Sequence, residues 1–165
     1  MKSNGMKRAF KGLYQRLRKR WLAENKPHRR VKLANIAEGI HAGQITKASD
    51  AIITERYLLG KIGSTTDRVN VCAAIDTPMG VITDEAAAVG DMVNVALLGC
   101  AGFTIRMVAS AAIAQGALVE PAASGRIATL GSGVGTHHVV GRALDAASAA
   151  GDVIEVDPFY FLRVI

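Results

Sequence analysis

From residue 44 to residue 165 the apolar side chains recur at every second position in short segments, and this alternation constrains the fold most. Period-two alternation of this length is typical of half-buried β-strands. Glycine, proline and aspartate separate the segments, whose spacing of roughly 8–12 residues favours a barrel or sandwich over βαβ units. The predicted strands span residues 51–59, 69–75, 79–83, 91–98, 103–109, 117–121, 125–130, 137–144, 152–156 and 160–164.

Alanine-rich runs precede a glycine and a strand at three places. They read "EAAAVGDMVNV" (85–95), "AAIAQGALVEP" (111–121) and "ASAAGDVIEV" (147–156). Their glycines are separated by 26 and then 35 residues, whereas a solenoid needs a fixed period. We interpret the three runs as one turn-and-strand device used three times, in which the alanines pack on the body and the glycine turns the chain.

The positive charge of the chain is concentrated at its N-terminus. Residues 1–32 contain twelve Lys or Arg and one acid, while residues 33–165 contain eight bases and thirteen acids. The net charge of +6 therefore combines a segment of +11 with a segment of −5. Within residues 6–24 the apolar side chains recur at helical spacing opposite a basic face. The sequence predicts a basic amphipathic N-terminal helix and extended linker arm over residues 1–43, followed by a mainly β body, a small antiparallel β-barrel or sandwich, over residues 44–165.

The N-terminal arm is the strongest candidate binding segment, and its partner is open on these grounds. Its bases could neutralise nucleic-acid phosphates, with binding that weakens steeply as salt rises. The helix could instead dock on an acidic protein surface, or pack on its own domain with the basic face in solvent. The side chains that we expect to contact a partner are Phe10, Leu13, Arg16, Leu17, Arg18, Lys19, Arg20 and Trp21.

The sequence carries no recognisable cofactor or metal motif. "GSGVGT" (131–136) lacks the last glycine of a dinucleotide fingerprint and the Lys of a phosphate-binding loop, so we interpret it as a loop between strands. His137 and His138 are adjacent in a predicted strand, where they point to opposite faces and cannot share one metal. We interpret them as loop-edge or surface histidines.

Catalytic residues are not apparent either. Asp84 and Glu85 precede an alanine turn and favour a helix N-terminus over acid–base catalysis. Cys72 and Cys100 are not in a CxxC spacing, and we expect both to be buried thiols. No apolar run has the length of a secretory signal core or a membrane span, so we expect a soluble protein that is not an enzyme and has no cofactor and no membrane partner.

The last segment, "DPFYFLRVI" (157–165), concentrates three of the aromatic residues. Alternation places Phe159 and Phe161 on one face of a strand and Tyr160 on the other. This strand either closes the core or supplies an aromatic anchor at a subunit contact.

Four segments of the body follow one another in an order that points to one family. They are "AIITERYLLGKIGS" (51–64), "TPMGVITDEAAAVGDMVNVALLG" (77–99), "AIAQGALVEP" (112–121) and "VVGRALDAASAAGDVIEV" (139–156). Together they resemble the small capsid decoration, or cement, proteins of tailed bacteriophages, over about residues 44–165. Residues 1–43 have no counterpart in the family pattern.

The resemblance implies a compact β-rich body without enzymatic activity. It implies assembly, commonly as a homotrimer, on the outside of an icosahedral phage head, with the major capsid protein as partner and the virion as location. A protein of this kind stabilises the head by bridging neighbouring capsid subunits. The alternative is an oligomeric nucleic-acid-binding protein that uses the basic arm on phosphates.

Overall fold

A computed structural model describes residues 42–165, which form ten strands and one short 3₁₀ turn (Ala123–Gly125). The predicted helix and most of the arm lie outside the described residues. The strands are β1 (Gln44–Ser49), β2 (Leu58–Ile62), β3 (Arg68–Val71), β4 (Gly80–Ile82), β5 (Met92–Leu97), β6 (Ile105–Val108), β7 (Leu118–Pro121), β8 (Ile127–Thr129), β9 (Thr136–Ala143) and β10 (Val153–Val164). The mainly β fold expected from the alternation is confirmed.

The first five strands close into a barrel in the order β1-β3-β2-β4-β5. Neighbouring strands run antiparallel except β1 and β3, which are parallel. The inward positions are small and β-branched, so valine and isoleucine fill the narrow interior.

The last five strands form a second sheet in the order β6-β10-β9-β7-β8. All four of its strand pairs are antiparallel. A parallel bridge between Ala109 and Ile127 joins the end of β6 to β8, at the place where β1 and β3 pair in the barrel.

The two sheets are therefore the same five-stranded arrangement occurring twice, as a first repeat (residues 44–97) and a second repeat (residues 105–158). β6 to β10 take the places of β1 to β5 in strand order, in pairing direction and in register. Ile45 pairs with Val95 as Ile105 pairs with Val156; Gly60 pairs with Val71 as Val119 pairs with Thr129; and Ile82 pairs with Val95 as Ala143 pairs with Val156.

The alanine–glycine device occupies two different places in this duplication, which corrects the interpretation of one device used three times. Gly90 and Gly151 are equivalent: each has a positive φ and donates its N–H to the neighbouring strand, to Ser49 at 2.9 Å and to Ala109 at 2.8 Å. Gly116, with φ of 81°, instead lies in the turn that precedes β7. Tyr57 holds the equivalent place before β2 at φ of 66°, a conformation that glycine adopts at lower cost.

The core is continuous between the repeats. One cluster fills the first barrel and includes Val69, Ile82 and Val93. The other joins the interior of the second repeat to side chains of the first, among them Leu59 and Val81, which are fully buried. Because each repeat covers apolar surface of the other, we expect them to fold together.

The structure differs from the predicted strands in three places. β1 was not predicted, because polar side chains at Lys47 and Ser49 point inward and hide the alternation. The segment 51–59 is no single strand: Ile53 forms one bridge to Ala86, and the chain turns before β2 begins. The two segments at 152–156 and 160–164 are one strand, β10, with a register shift between residues 158 and 161.

Candidate partner-binding surface

The second repeat ends in a hairpin that is longer than its counterpart in the first. β4 and β5 have 3 and 6 residues, whereas β9 and β10 have 8 and 12. The additional residues pair beyond the shared register, from Phe161 with Val139 to Val164 with Thr136. We call residues 131–138 and 159–165 the hairpin tip; they lie at the open end of the hairpin, opposite the turn at residues 144–152. Since the first repeat has the same five-stranded arrangement with a shorter hairpin, the arrangement does not require the tip.

The tip exposes apolar side chains beside a free strand edge. Leu162 is 55% exposed and Val164 is 78% exposed. β6 pairs with β10 only at residues 153–156, so within residues 42–165 the outer edge of residues 159–164 has no strand partner. A free edge lined with apolar side chains is a typical site of association with another chain.

The aromatic side chains of the tip lie on two faces of β10, as the alternation predicted. Phe159 and Phe161 stack with ring centroids 5.8 Å apart and an interplanar angle of 12°. On the other face Tyr160 stacks on His138 at 5.9 Å, and its hydroxyl lies 2.8 Å from His138 Nδ1. The core is closed by the first half of β10, through Ile154 and other buried residues, while the aromatic half remains partly exposed.

A polar cluster fastens the glycine loop of the tip to the sheet. His137 Nδ1 lies 2.6 Å from Glu120 Oε2, and His137 Nε2 lies 2.9 Å from the Gly133 carbonyl oxygen. The Gly131 N–H donates to the other oxygen of Glu120 at 3.0 Å. The hydrogen bond to Glu120, reinforced by the one to Gly133, raises the pKa of His137 above its ordinary value of 6.5. His137 and His138 point to opposite faces as expected, but His137 is an anchored side chain and not a simple surface histidine.

Asp84 and Glu85 lie in the turn between β4 and β5, where both side chains make structural contacts. Asp84 accepts a hydrogen bond from the Asn94 N–H at 2.9 Å, and Glu85 forms an exposed ion pair with Arg56 at 3.2 Å. The chain forms a bridge and turns there, so the predicted helix N-terminus is wrong. Among residues 42–165 no group of three or more His, Cys, Asp or Glu side chains is arranged to hold a metal ion.

The two cysteines differ in environment. Cys72 is buried, and burial raises its pKa to about 12. Cys100 is exposed in the link between the repeats, so the expectation that both thiols are buried is wrong for Cys100. Gly99 turns the chain at φ of 74° immediately before Cys100, and both residues lie exposed at this turn.

Of the candidate binding residues, the structure places only the three at the C-terminus. Phe159, Tyr160 and Phe161 come together in the tip, whereas those of the arm (residues 10–21) lie outside the described residues. Glu120 was missed, because its partner His137 lies on a different strand and neither residue stands in a motif. No helix within residues 42–165 is long and apolar enough to cross a membrane.

Comparison with known proteins finds a matching family and similar solved structures. A family model described as phage cement protein matches residues 27–158, so the expectation that residues 1–43 have no counterpart in the family is wrong for residues 27–43. The structure is similar to the crystal structure of the N base of head fiber gp8.5 in bacteriophage phi29, with a TM-score of 0.51 and 17% sequence identity, covering 68% of this chain and 90% of that one. At this identity the likeness concerns the fold alone. No curated protein matches the chain.

Proposed function

This chain belongs to the phage cement protein family, and from that premise we propose that it binds the outside of a phage head and bridges neighbouring capsid subunits. As a member of the family it is a structural protein of the phage head and is associated with the virion capsid. We further propose that it works by adhesion alone, without catalysis. The observation that carries the proposal is the apolar hairpin tip, which only the second repeat possesses.

The tip is proposed as the contact between copies of this chain. Its free edge offers backbone hydrogen bonds, and Phe161, Leu162 and Val164 beside it offer apolar area. The last seven residues, 159–165, include one charged side chain, that of Arg163. The desolvation penalty of covering this surface is therefore small. A trimer is the favoured assembly, because the resemblance to decoration proteins implies one.

The basic arm is proposed as the contact with the major capsid protein. The arm carries +11 over residues 1–32 and the rest of the chain carries −5, so the arm favours an acidic partner surface over a solvent-exposed position. Its apolar residues, Phe10, Leu13, Leu17 and Trp21, would bury against the capsid subunit while the neighbouring arginines pair with acids. An arm and a self-associating body together give one copy two attachment points.

Deletion of residues 1–24 tests the arm. The truncated protein should fold, as judged by an unchanged β-sheet circular dichroism spectrum. It should co-sediment with capsids much more weakly than the full chain, at matched protein concentrations. Undiminished co-sedimentation would remove the arm from the mechanism.

Substitution of Leu162→Asp tests the tip. The full chain should elute with a mass that is a multiple of 17.4 kDa in size exclusion with light scattering, and Leu162→Asp should shift that mass to 17.4 kDa. Ile75→Asp is the matched control, because Ile75 is an exposed apolar residue of the first repeat and should leave the mass unchanged. An unchanged mass for Leu162→Asp would exclude the tip as the contact.

Nucleic-acid binding is the second candidate function, and the charge of the arm favours it. A gel shift with duplex DNA at two salt concentrations distinguishes the two. Phosphate binding predicts a shift at low salt that disappears at high salt and on deletion of residues 1–24. The absence of a shift at low salt excludes this function.

A further inference from the structure

The two repeats carry an ion pair at the same place with the charges exchanged. In the first repeat Lys61 of β2 lies 2.7 Å from Asp76, and in the second Glu120 of β7 lies 2.6 Å from His137. The strand register makes Lys61 and Glu120 equivalent. Asp76 and His137 are equivalent as well, since each stands four positions before the matching glycine of β4 or β9. An attractive pair is therefore present in both copies, although neither residue type is retained.

The second pair requires a charged imidazole to make all its hydrogen bonds. Both His137 nitrogens face acceptors, a Glu120 carboxylate oxygen at 2.6 Å and the Gly133 carbonyl oxygen at 2.9 Å. Neither acceptor has a proton to donate while Glu120 is ionised, and a neutral imidazole has only one N–H. The imidazolium form satisfies both, so loss of one proton leaves one of the two contacts without hydrogen.

These contacts fix the glycine loop and, through it, the end of the chain. Glu120 also holds the Gly131 N–H, so the loop is attached to the sheet at Gly131 and at Gly133. The loop then pairs with the chain end, where Gly135 and Ile165 exchange two backbone hydrogen bonds of 3.0 and 3.1 Å. Gly131, Gly133 and Gly135 give the loop little intrinsic rigidity, so its order depends on these contacts.

The first pair does not change charge near neutral pH. Its hydrogen bond raises the pKa of Lys61 above 10.5 and lowers the pKa of Asp76 below 3.8. The charged groups that face His137 are Glu120 from β7, which stabilises the imidazolium, and Arg163 from β10, which opposes it. His138 lies on the opposite face against Tyr160.

We infer that Glu120 and His137 form a proton-dependent clamp that orders the hairpin tip while His137 is charged and loosens the glycine loop when His137 is neutral and one of its two contacts is lost. Because the hydrogen bond to Glu120 favours the charged form, the stabilisation is complete below the ordinary histidine value of 6.5 and is lost as pH rises through the higher value in the folded protein. The equivalent Lys61–Asp76 pair of the first repeat stays charged over this pH range.

A consequence for assembly rests on the proposed function. If the tip is the contact between copies, loosening of the loop and of the chain end at alkaline pH should weaken self-association. The clamp itself does not depend on that function, since it is a property of one chain.

Amide hydrogen exchange on the full chain, followed by NMR between pH 6 and pH 9, tests the clamp. The protection factor of an amide is its exchange rate in an unstructured peptide divided by its rate in the protein at the same pH. The protection factors of the Gly131 and Gly135 amides should fall by about tenfold or more as His137 deprotonates. The Ala73 amide is the internal control, because it donates to Asp76 at 2.7 Å and its protection should stay constant. The His137 imidazole resonance should titrate above pH 6.5.

Two variants sharpen the experiment. Glu120→Gln should move the His137 titration to lower pH and lower Gly131 protection at pH 6. His137→Lys keeps a positive charge beside Glu120 throughout the range and should make Gly131 protection independent of pH. Constant Gly131 protection in the unsubstituted chain, or a His137 titration at or below pH 6.5, would overturn the clamp. If self-association is absent at every pH while Gly131 behaves as expected, the proposed subunit contact fails and the clamp stands.

Discussion

Replacing Gly141 with alanine should destabilise the protein through a steric clash and not through backbone strain. Gly141 lies in β9, and an added Cβ would stand 2.5 Å from Val156 Cγ1 and 2.6 Å from the Asp157 carbonyl oxygen. Ordinary contacts begin near 3.4 Å, so β9 and β10 must separate by close to 1 Å. The carbonyl belongs to the strand backbone and cannot rotate away, which places the cost in the upper part of the usual overpacking range, about 2–3 kcal/mol.

The free energy of unfolding should be measured by urea denaturation of the full chain, with thermal unfolding alongside. For a domain of this size a loss of about 2–3 kcal/mol corresponds to a fall in Tm of roughly 5–10 °C. Gly80→Ala should show a similar loss, because Gly80 is the equivalent residue of the first repeat and meets Val95 Cγ1 at 2.7 Å and the Ala96 carbonyl oxygen.

Two further glycines separate the possible causes. Gly133→Ala should change the free energy of unfolding by less than about 0.5 kcal/mol, because its Cβ meets open space and its φ is not positive. Gly116→Ala also meets open space but has φ of 81°, so it should cost about 1–2 kcal/mol from backbone strain alone. If Gly141→Ala lies within about 0.5 kcal/mol of the unsubstituted chain, the close strand approach described here is wrong.

Three other predictions follow from the described residues. Cys100 should react with a maleimide in the folded protein while Cys72 reacts only after unfolding; equal labelling of both by mass spectrometry would contradict the burial of Cys72. The hydrogen bond from Ser148 lowers the pKa of Asp152, and the hydrogen bond from Lys61 lowers the pKa of Asp76. Tm should therefore fall as pH drops below about 4, and it should fall less steeply in Asp152→Asn. Parallel curves of Tm against pH for the two proteins would refute this. The shared core predicts one urea transition for both repeats, monitored by amide exchange in Val93 and Ile154, and two separated transitions would show independent repeats.

Much of the fold follows from the sequence because small β-branched residues alternate cleanly over most strands. The failures have physical causes at named residues. Lys47 points inward and donates a hydrogen bond to the Thr66 carbonyl oxygen at 2.5 Å. Because a polar residue occupies this interior position, the alternation of apolar side chains does not predict β1. Tyr57 turns the chain at a positive φ where glycine would be expected, so the turn before β2 carries no sequence signal.

The duplication was only partly visible in the sequence. The phrases around Gly90 and Gly151 are alike because both hold the same turn, in which Asp91 or Asp152 accepts hydrogen bonds from the preceding backbone. The other strands share only register and burial, which many sequences satisfy. The candidate site was predicted as far as Phe159 to Phe161, since aromatic residues are scarce elsewhere; the Glu120–His137 pair depends on strand register, which alternation alone does not determine.

Because they share a continuous core, the two repeats resemble the two subunits of a dimer that a short peptide link joins covalently. Separate modules of this kind would meet at a rate set by protein concentration, whereas a tether of a few residues holds them at an effective concentration in about the millimolar range. Either module made alone would leave the apolar side chains around Leu59 or Ile105 in water. Dilution therefore cannot separate them, and a virion component that must persist after release from its host keeps this part of its structure at any concentration.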